Sequence, residues 1–261
     1  MGFIRKIILV LFISFANEVF AMNPLKYCSM ILSVVWGNLV NKDRRLTRLK
    51  SKTFIQAGVW KLEFESGFVG IYKVKSRKTN PFYEVAAYKL SQLSGLNAVP
   101  ETLFYKEGEE IGSLQKYVAP RNRGTKKPVL LEAKILFLDY LMRNVDRLTA
   151  GISNAPPGWH SSQTRMRNLV IDKNHQQWAI DFGFSKPEQL VFSVEDEDIW
   201  LRINERPDQI FPGKNVLENL LKLSDDDWAK SFEKKLSPEE IASVRMRLGK
   251  IVELFKARRL F

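Results

Sequence analysis

The chain has 261 residues, of which 45% are apolar and 27% charged, as in an ordinary globular protein with one large domain or two lobes. Cys28 is the only cysteine, and His160 and His175 are the only histidines. This composition excludes a disulfide framework or a zinc cluster of cysteines and leaves a histidine-based triad with poor support. The net charge of +12 indicates either an acidic partner, such as a nucleotide, phospholipid or nucleic acid, or simply a basic surface.

The first residues have the pattern of an export signal. Arg5 and Lys6 precede the apolar run 7–15, and Val19-Phe20-Ala21 forms a small-residue cleavage pattern. The pattern predicts a signal peptide at residues 1–21 and a secreted or periplasmic protein. The alternative is an uncleaved segment that anchors the chain to a membrane, although the run is short for spanning one.

A basic and apolar N-terminal segment is predicted at residues 22–53. Its end, from Lys42 to Lys52, carries six basic residues and one acidic residue. Such a run is typical of a solvated helix face or a linker, or it contacts an anionic membrane surface. Because no aromatic residues alternate with these charges, specific binding of nucleic acid is not expected.

The domain itself is predicted to begin at Phe54. Two strand-like runs, 58–65 and 68–75, flank a Ser-Gly turn and predict a hairpin. Lys73 lies in the second run and points either to solvent or into a cleft. A helix follows, starting at Asn80-Pro81, and it carries Glu84. We expect Glu84 to fold back onto Lys73 and to fix its ammonium where it can reach nucleotide phosphates.

A second strand pair, 100–105 and 111–118, leads into a connector at 114–121. Gln115 and Tyr117 lie in this connector, and its backbone groups are predicted to hydrogen-bond the edge of an adenine. A core helix is then predicted over 129–143.

Two acidic residues follow that helix. Asp146 lies where the helix gives way to a loop, so it either orients a proton at a nucleophile or caps the helix beside Arg147. A predicted hairpin, 167–172 with 178–181, brings Asn168 and Asp181 to one end. Their oxygens suit Mg²⁺ or Mn²⁺. One carboxylate for a metal and one for the attacking group are what phosphoryl transfer needs.

The C-terminal third predicts three helices. Residues 216–223 and 225–232 have helical patterns, and Ser237 begins a capping box for a terminal helix. The apolar stripe of that last helix predicts core packing.

The order of the candidate site residues along the chain resembles the atypical branch of the protein-kinase-like superfamily. That order is Lys73, Glu84, the connector, Asp146-Arg147, Asn168 and Asp181-Phe182-Gly183. The segment 138–148 is most similar to secretory-pathway kinases of the four-jointed type, and the Asp-Arg order is similar to that of phosphatidylinositol kinases. The resemblance covers about residues 55–190 and is more specific at 138–183 than elsewhere.

The resemblance implies an α+β, two-lobed kinase-like fold. The N-lobe, 54–118, is a small antiparallel sheet with one helix, and the C-lobe, 119–261, is mainly helical. ATP would bind in the cleft with Mg²⁺ or Mn²⁺: Lys73 would bind phosphates, Glu84 would position it, Asp146 would be the catalytic base, and Asp181 with Asn168 would hold the metal.

Three departures from that family limit what it implies. No glycine-rich loop precedes Lys73, no Ala-Pro-Glu segment follows Asp181, and the disulfides of eukaryotic secretory kinases are absent. The last point fits a bacterial chain or an effector delivered to a host. The resemblance implies transfer of phosphate to a protein hydroxyl. The alternatives are a lipid or small-molecule hydroxyl, a nucleotide-binding pseudokinase and a membrane-associated scaffold.

Overall fold

The computed structural model describes residues 43–76, 80–121, 131–144, 168–182, 200, 203–205 and 207–261. A five-stranded antiparallel sheet occupies the N-terminal part and helices dominate the C-terminal part, so the predicted α+β class is confirmed. The sheet has the order β1-β2-β3-β5-β4. Its strands are β1 Leu49–Gln56, β2 Val59–Phe64, β3 Val69–Val74, β4 Thr102–Glu107 and β5 Glu110–Lys116.

Strand β1 was not predicted, and the sheet begins at Leu49 rather than at Phe54. The expectation of a helix face or linker up to residue 52 is therefore wrong for its last residues. β1 is an edge strand with nearly every side chain exposed, so it lacks the alternation of apolar and polar residues that identifies a half-buried strand.

Several charges of the basic run already have acidic partners. The Arg45 guanidinium lies 2.5 Å from carboxylate oxygens of both Asp43 and Glu101, and the Lys52 ammonium lies 2.6 Å from Glu107. This pairing reduces the positive charge that the segment can offer to an anionic surface.

Helix α1, Pro81–Ser94, has the predicted ends. The Asn80 side chain accepts a hydrogen bond from the backbone N–H of Phe82 at 3.1 Å, and Gly95 ends the helix with a φ of 77°. Both are standard caps, because a short polar side chain satisfies a free N–H and glycine adopts the left-handed conformation without strain.

The α-helices and strands that the structure describes in the C-terminal part have bounds close to the predicted ones. They are α2 Ala133–Leu141, the hairpin β6 Leu169–Ile171 and β7 Gln177–Ala179, and the helices α3 Lys214–Leu221, α4 Asp225–Phe232 and α5 Pro238–Ala257, the last with its predicted capping box at Ser237. α2 begins later than the predicted residue 129. Glu132 is extended, and its N–H is donated to Gln177 Oε1 at 3.1 Å, so this residue is tied to the hairpin.

The described residues form two separate apolar cores. One belongs to the sheet and contains Leu62, Phe64, Tyr72 and Leu114. The other joins α1 to α2 and to the C-terminal helices, so α1 packs with the helical part of the molecule. Across the ranges that the structure describes, no helix is both long enough and apolar enough to cross a bilayer.

Candidate active site

Lys73 bridges the two parts of the molecule. Strand β3 places Tyr72 in the sheet core and turns Lys73 to the opposite face, because successive side chains of a strand alternate. The Lys73 ammonium lies 2.5 Å from Glu84 Oε1 on α1 and 3.0 Å from Asp181 Oδ1 after β7. The predicted ion pair between Lys73 and Glu84 is therefore present, and Asp181 joins it.

One carboxylate oxygen of Glu84 is buried without a hydrogen-bond donor in the described part of the chain. Its side chain is 1% exposed, and while Oε1 binds Lys73, the buried Oε2 accepts no hydrogen bond within the described chain. A buried acceptor without a donor costs about 1–3 kcal/mol, so such an atom is suited to meet a cation. The sequence indicated Glu84 only as the partner of Lys73 and contained no signal for this second role.

The electrostatics of the site keep Lys73 charged. Burial lowers the pKa of the ammonium, but the neighbouring carboxylates of Glu84 and Asp181 outweigh burial, and the pKa is raised above its ordinary value of 10.5. A fixed, permanently charged ammonium is what binding of phosphate oxygens requires.

The raised pKa makes a prediction about stability. A group whose pKa is raised by folding stabilises the protein fully below its unfolded pKa and loses that effect as the pH rises through the folded pKa. We expect the free energy of unfolding of wild type, minus that of Lys73→Met, to be constant from about pH 7 to about pH 10 and to fall above that. Urea unfolding of both proteins across this range measures the difference. A difference that already falls between pH 7 and pH 9 would contradict the direction of the shift.

Asp181 is held in place by its own short hairpin. The β7 residue Ala179 donates its N–H to the carbonyl of Ala98 at 2.8 Å, and Phe182 is fully buried in the helical core. Between these anchors Asp181 has a φ of 65°, a left-handed conformation that aspartate and asparagine tolerate better than most residues. Its side chain remains 48% exposed.

Asn168 lies at the same end of the hairpin, as predicted. Its backbone carbonyl oxygen accepts the N–H of Ile180 at 3.0 Å, so it lies opposite the residue that precedes Asp181. Within the described ranges no group of three acidic, histidine or cysteine side chains is arranged around a metal position. The carboxylates of Asp181 and Glu84 lie at Lys73, and together with the amide oxygen of Asn168 they are hard donors of the kind that fits Mg²⁺ or Mn²⁺.

The structure places Gln115 and Tyr117 differently from a free connector. Gln115 belongs to β5 and is 4% exposed. Tyr117 follows the strand, is half-exposed, and already donates its backbone N–H to the carbonyl of Val69 at 2.8 Å. That N–H is therefore engaged within the sheet.

Asp146, Arg147 and Gly183 lie outside the described residues, as does the predicted signal peptide. The chain leading to Asp146 is described as far as Asn144, which is 1% exposed. The N–H of Asn144 is donated to the carbonyl of Asp139 at 2.7 Å at the end of α2. The chain is thus fixed in the helical core as far as Asn144.

No family model matches the chain, and no curated protein matches it. Among solved structures, it is similar to the Golgi casein kinase with Mn/ADP bound, at 13% identity over 87% of this chain and 75% of that one, with a TM-score of 0.47. It is also similar to an aminoglycoside phosphotransferase from Alicyclobacillus acidocaldarius subsp. acidocaldarius DSM 446, at 9% identity over 82% and 91% of the two chains, with a TM-score of 0.31.

A third similar structure is the choline kinase LicA from Streptococcus pneumoniae, at 11% identity over 89% of this chain and 91% of that one, with a TM-score of 0.25. All three are kinases or phosphotransferases by name. With TM-scores of 0.47, 0.31 and 0.25, these similarities carry no argument about the activity of this chain.

Proposed function

We propose that the chain is an ATP-dependent phosphotransferase of the atypical kinase kind that transfers the γ-phosphate to a hydroxyl group, with a protein hydroxyl as the acceptor. The observation that carries the proposal is the position of the Lys73 ammonium between the buried carboxylate of Glu84 and the exposed carboxylate of Asp181. This arrangement combines a fixed cation for phosphate with an adjacent anion for a metal.

Lys73 and Asp181 would divide the work at the nucleotide. Lys73 would donate hydrogen bonds to phosphate oxygens, while Glu84 holds its stem in one direction. Asp181 with Asn168 would hold Mg²⁺ or Mn²⁺. The bound metal would supply charge neutralisation on the phosphates.

Asp146 would act on the acceptor. The acceptor oxygen would form a bond to the γ-phosphorus while the bond between that phosphorus and the bridging oxygen of ADP breaks. The proton of the acceptor hydroxyl would pass to the Asp146 carboxylate. Asp146 follows the buried Asn144 by two residues in the sequence, and this closeness to the rigid helical core supports the role.

Replacing Lys73 with methionine tests the proposal. We expect the purified wild-type chain to transfer label from γ-labelled ATP with Mg²⁺ or Mn²⁺, and Lys73→Met to lose at least about a hundredfold in rate because the phosphates lose their fixed cation. The same change at the exposed Lys50 is the matched control and should leave the rate unchanged.

Two measurements distinguish a protein kinase from a lipid or small-molecule kinase and from a pseudokinase: transfer to different acceptors and binding of ATP. Proteins, lipid vesicles and small alcohols are offered as acceptors in parallel, and the melting temperature is recorded with and without ATP and metal. Label on lipid or small alcohol alone would replace the protein acceptor. A nucleotide-dependent rise in melting temperature without transfer would indicate a pseudokinase, and no rise at all would reject the kinase function.

We propose that the protein is exported, on the basis of the signal-peptide pattern at residues 1–21. An exported enzyme needs ATP where it acts, and delivery into a host cell would supply it. Arg45 and Lys52 of the basic segment are paired with carboxylates, which leaves less positive charge for contact with an anionic membrane.

A further inference from the structure

Ser113 lies directly beside Lys73 in the sheet. Strands β3 and β5 pair so that Lys73 is opposite Ser113, and β4 places Phe104 opposite Ser113 on its other side. Cross-strand partners project to the same face of a sheet, so these three side chains share one face. Because Lys73 reaches Glu84 from this face, it is the face on which helix α1 lies.

Helix α1 contacts this face on both sides of Ser113. Phe82 packs edge-to-face against Phe104, with ring centroids 5.2 Å apart, and two residues later Glu84 binds Lys73. Ser113 lies between these two contacts and is 1% exposed. Its hydroxyl is therefore buried beneath the first turn of α1, in the same interface as the Glu84 carboxylate.

Two buried polar atoms of this interface have no hydrogen-bond partner among the residues that the structure describes. They are Glu84 Oε2, which as a carboxylate oxygen can only accept, and Ser113 Oγ, whose hydroxyl can also donate. Each of them costs free energy, because it has lost its hydrogen bonds to water without replacing them. Since a hydroxyl donor and a carboxylate acceptor complement each other, one hydrogen bond between these atoms would satisfy both.

The contacts of Lys73 indicate when such a bond would form. The ammonium lies 2.5 Å from Glu84 Oε1 and 3.0 Å from Asp181 Oδ1, so the Glu84 carboxylate faces Lys73 through one oxygen. A bound nucleotide would engage Asp181 through its metal and would draw protons of the ammonium to its phosphate oxygens. Glu84 would then share Lys73 with the phosphates, and a second donor would help to hold its carboxylate in place.

We propose that Ser113 is a positioning residue for the reaction. Its hydroxyl donates to Glu84 Oε2 when the nucleotide engages Lys73, and this bond keeps the carboxylate directed at the ammonium. A serine can turn to such an acceptor, since its side chain has three staggered positions and its hydroxyl proton rotates. The inference rests on the proposed function, because it concerns the lysine–glutamate pair of that same site.

Ser113→Ala distinguishes this role from simple packing of a small side chain. Removing an unpaired buried hydroxyl should leave the urea midpoint of unfolding unchanged or raise it. With γ-labelled ATP and Mn²⁺, kcat should nevertheless fall about tenfold, while the KM for the acceptor stays unchanged. The matched control is Ser94→Ala, which removes a buried hydroxyl that donates to the carbonyl of Leu90 within α1 and should keep the kcat of wild type.

Two further variants test whether the hydroxyl acts through Glu84. Ser113→Cys keeps the shape of the side chain with a weaker donor, so its kcat should lie between those of wild type and Ser113→Ala. In the presence of Glu84, Ser113→Ala should raise the Kd for ATP, measured by titration calorimetry with Mn²⁺, about threefold. In a Glu84→Ala background, which lacks the acceptor, the same substitution should change that Kd by less than about twofold.

The outcomes separate this inference from the function on which it rests. If Ser113→Ala keeps the kcat of wild type, or if it raises the Kd equally with and without the Glu84 carboxylate, the role of Ser113 is overturned and the kinase function stands. A slower Ser113→Ala protein with a lower urea midpoint and an impaired KM for the acceptor also overturns the positioning role, because it indicates general structural damage. A wild type that transfers no phosphate overturns both.

Discussion

Replacing Asp181 with asparagine is expected to reduce phosphotransfer by at least about a hundredfold without unfolding the protein. The substitution removes the negative charge that would hold the metal. It leaves a side chain of the same shape at a φ of 65°, which asparagine tolerates. Alanine would be the poorer choice here, since a left-handed alanine adds backbone strain of about 1 kcal/mol to the loss of charge. Labelled ATP and the melting temperature of the two proteins measure the two halves of the prediction.

The control for Asp181→Asn is the same change at a carboxylate outside the site. Asp226 lies in the first turn of α4, is exposed, and should tolerate asparagine with no change in rate. The dependence of the rate on Mn²⁺ concentration sharpens the result, because loss of a metal ligand raises the concentration needed for half-maximal rate. If Asp181→Asn kept more than about a tenth of the activity with an unchanged metal dependence, Asp181 would not be the metal ligand.

The contact between Asp181 and Lys73 indicates which charged partners these two residues would exchange when a nucleotide binds. In the structure the Lys73 ammonium contacts both carboxylates, Glu84 and Asp181. A nucleotide with its metal offers Asp181 a divalent cation and offers Lys73 phosphate oxygens, so both groups exchange one charged partner for another. The buried charges of Lys73 and Glu84 compensate each other, and the remaining negative charge lies on the half-exposed Asp181.

Much of the site was predictable because its parts are local. The Ser66-Gly67 turn identifies the β2–β3 hairpin, Asn80 and Gly95 identify the ends of α1, and these two elements alone bring Lys73 within reach of Glu84. Such signals depend on the conformations that a few residues prefer, and they are visible in the sequence whatever the rest of the chain does.

What escaped prediction depends on contacts between distant segments. The orientation of Gln115 is set by Thr102, a residue on the neighbouring strand, and follows only once the register of β4 and β5 is known. Strand β1 pairs at the edge of the sheet and carries no burial pattern. The attachment of α1 to the C-terminal helices joins Tyr83 to Glu240, which no local pattern connects.

The attachment of α1 to the C-terminal helices fixes the position of Glu84, because Glu84 lies on α1. The Tyr83 hydroxyl donates to Glu240 Oε1 at 2.5 Å at the start of α5, and Asn219 of α3 donates to the carbonyl of Ser94 at 3.2 Å. Both ends of α1 are thus tied to the helical core. In a kinase-like site this favours a lysine–glutamate pair that is formed permanently, since α1 cannot move away without breaking these bonds.

Glu240→Ala should expose the strength of the attachment, with a fall of about 2–4 kcal/mol in the free energy of unfolding. The Glu240 carboxylate accepts both from Tyr83 and from the backbone N–H of Ser237, so its loss removes one of the two hydrogen bonds of the capping box together with the bond to α1.

The neighbouring Ser237→Ala separates these two effects. It removes only the capping hydroxyl, so we expect a cost of about 1 kcal/mol and an unchanged rate of phosphotransfer. Glu240→Ala should additionally slow transfer at temperatures where it remains folded, because α1 and Glu84 are less firmly held. Tyr83→Phe removes the hydroxyl alone and should slow transfer in the same direction. Equal stability losses and equal rates for Glu240→Ala and Ser237→Ala would mean that the bond to Tyr83 contributes nothing, and that α1 is positioned by its apolar packing alone.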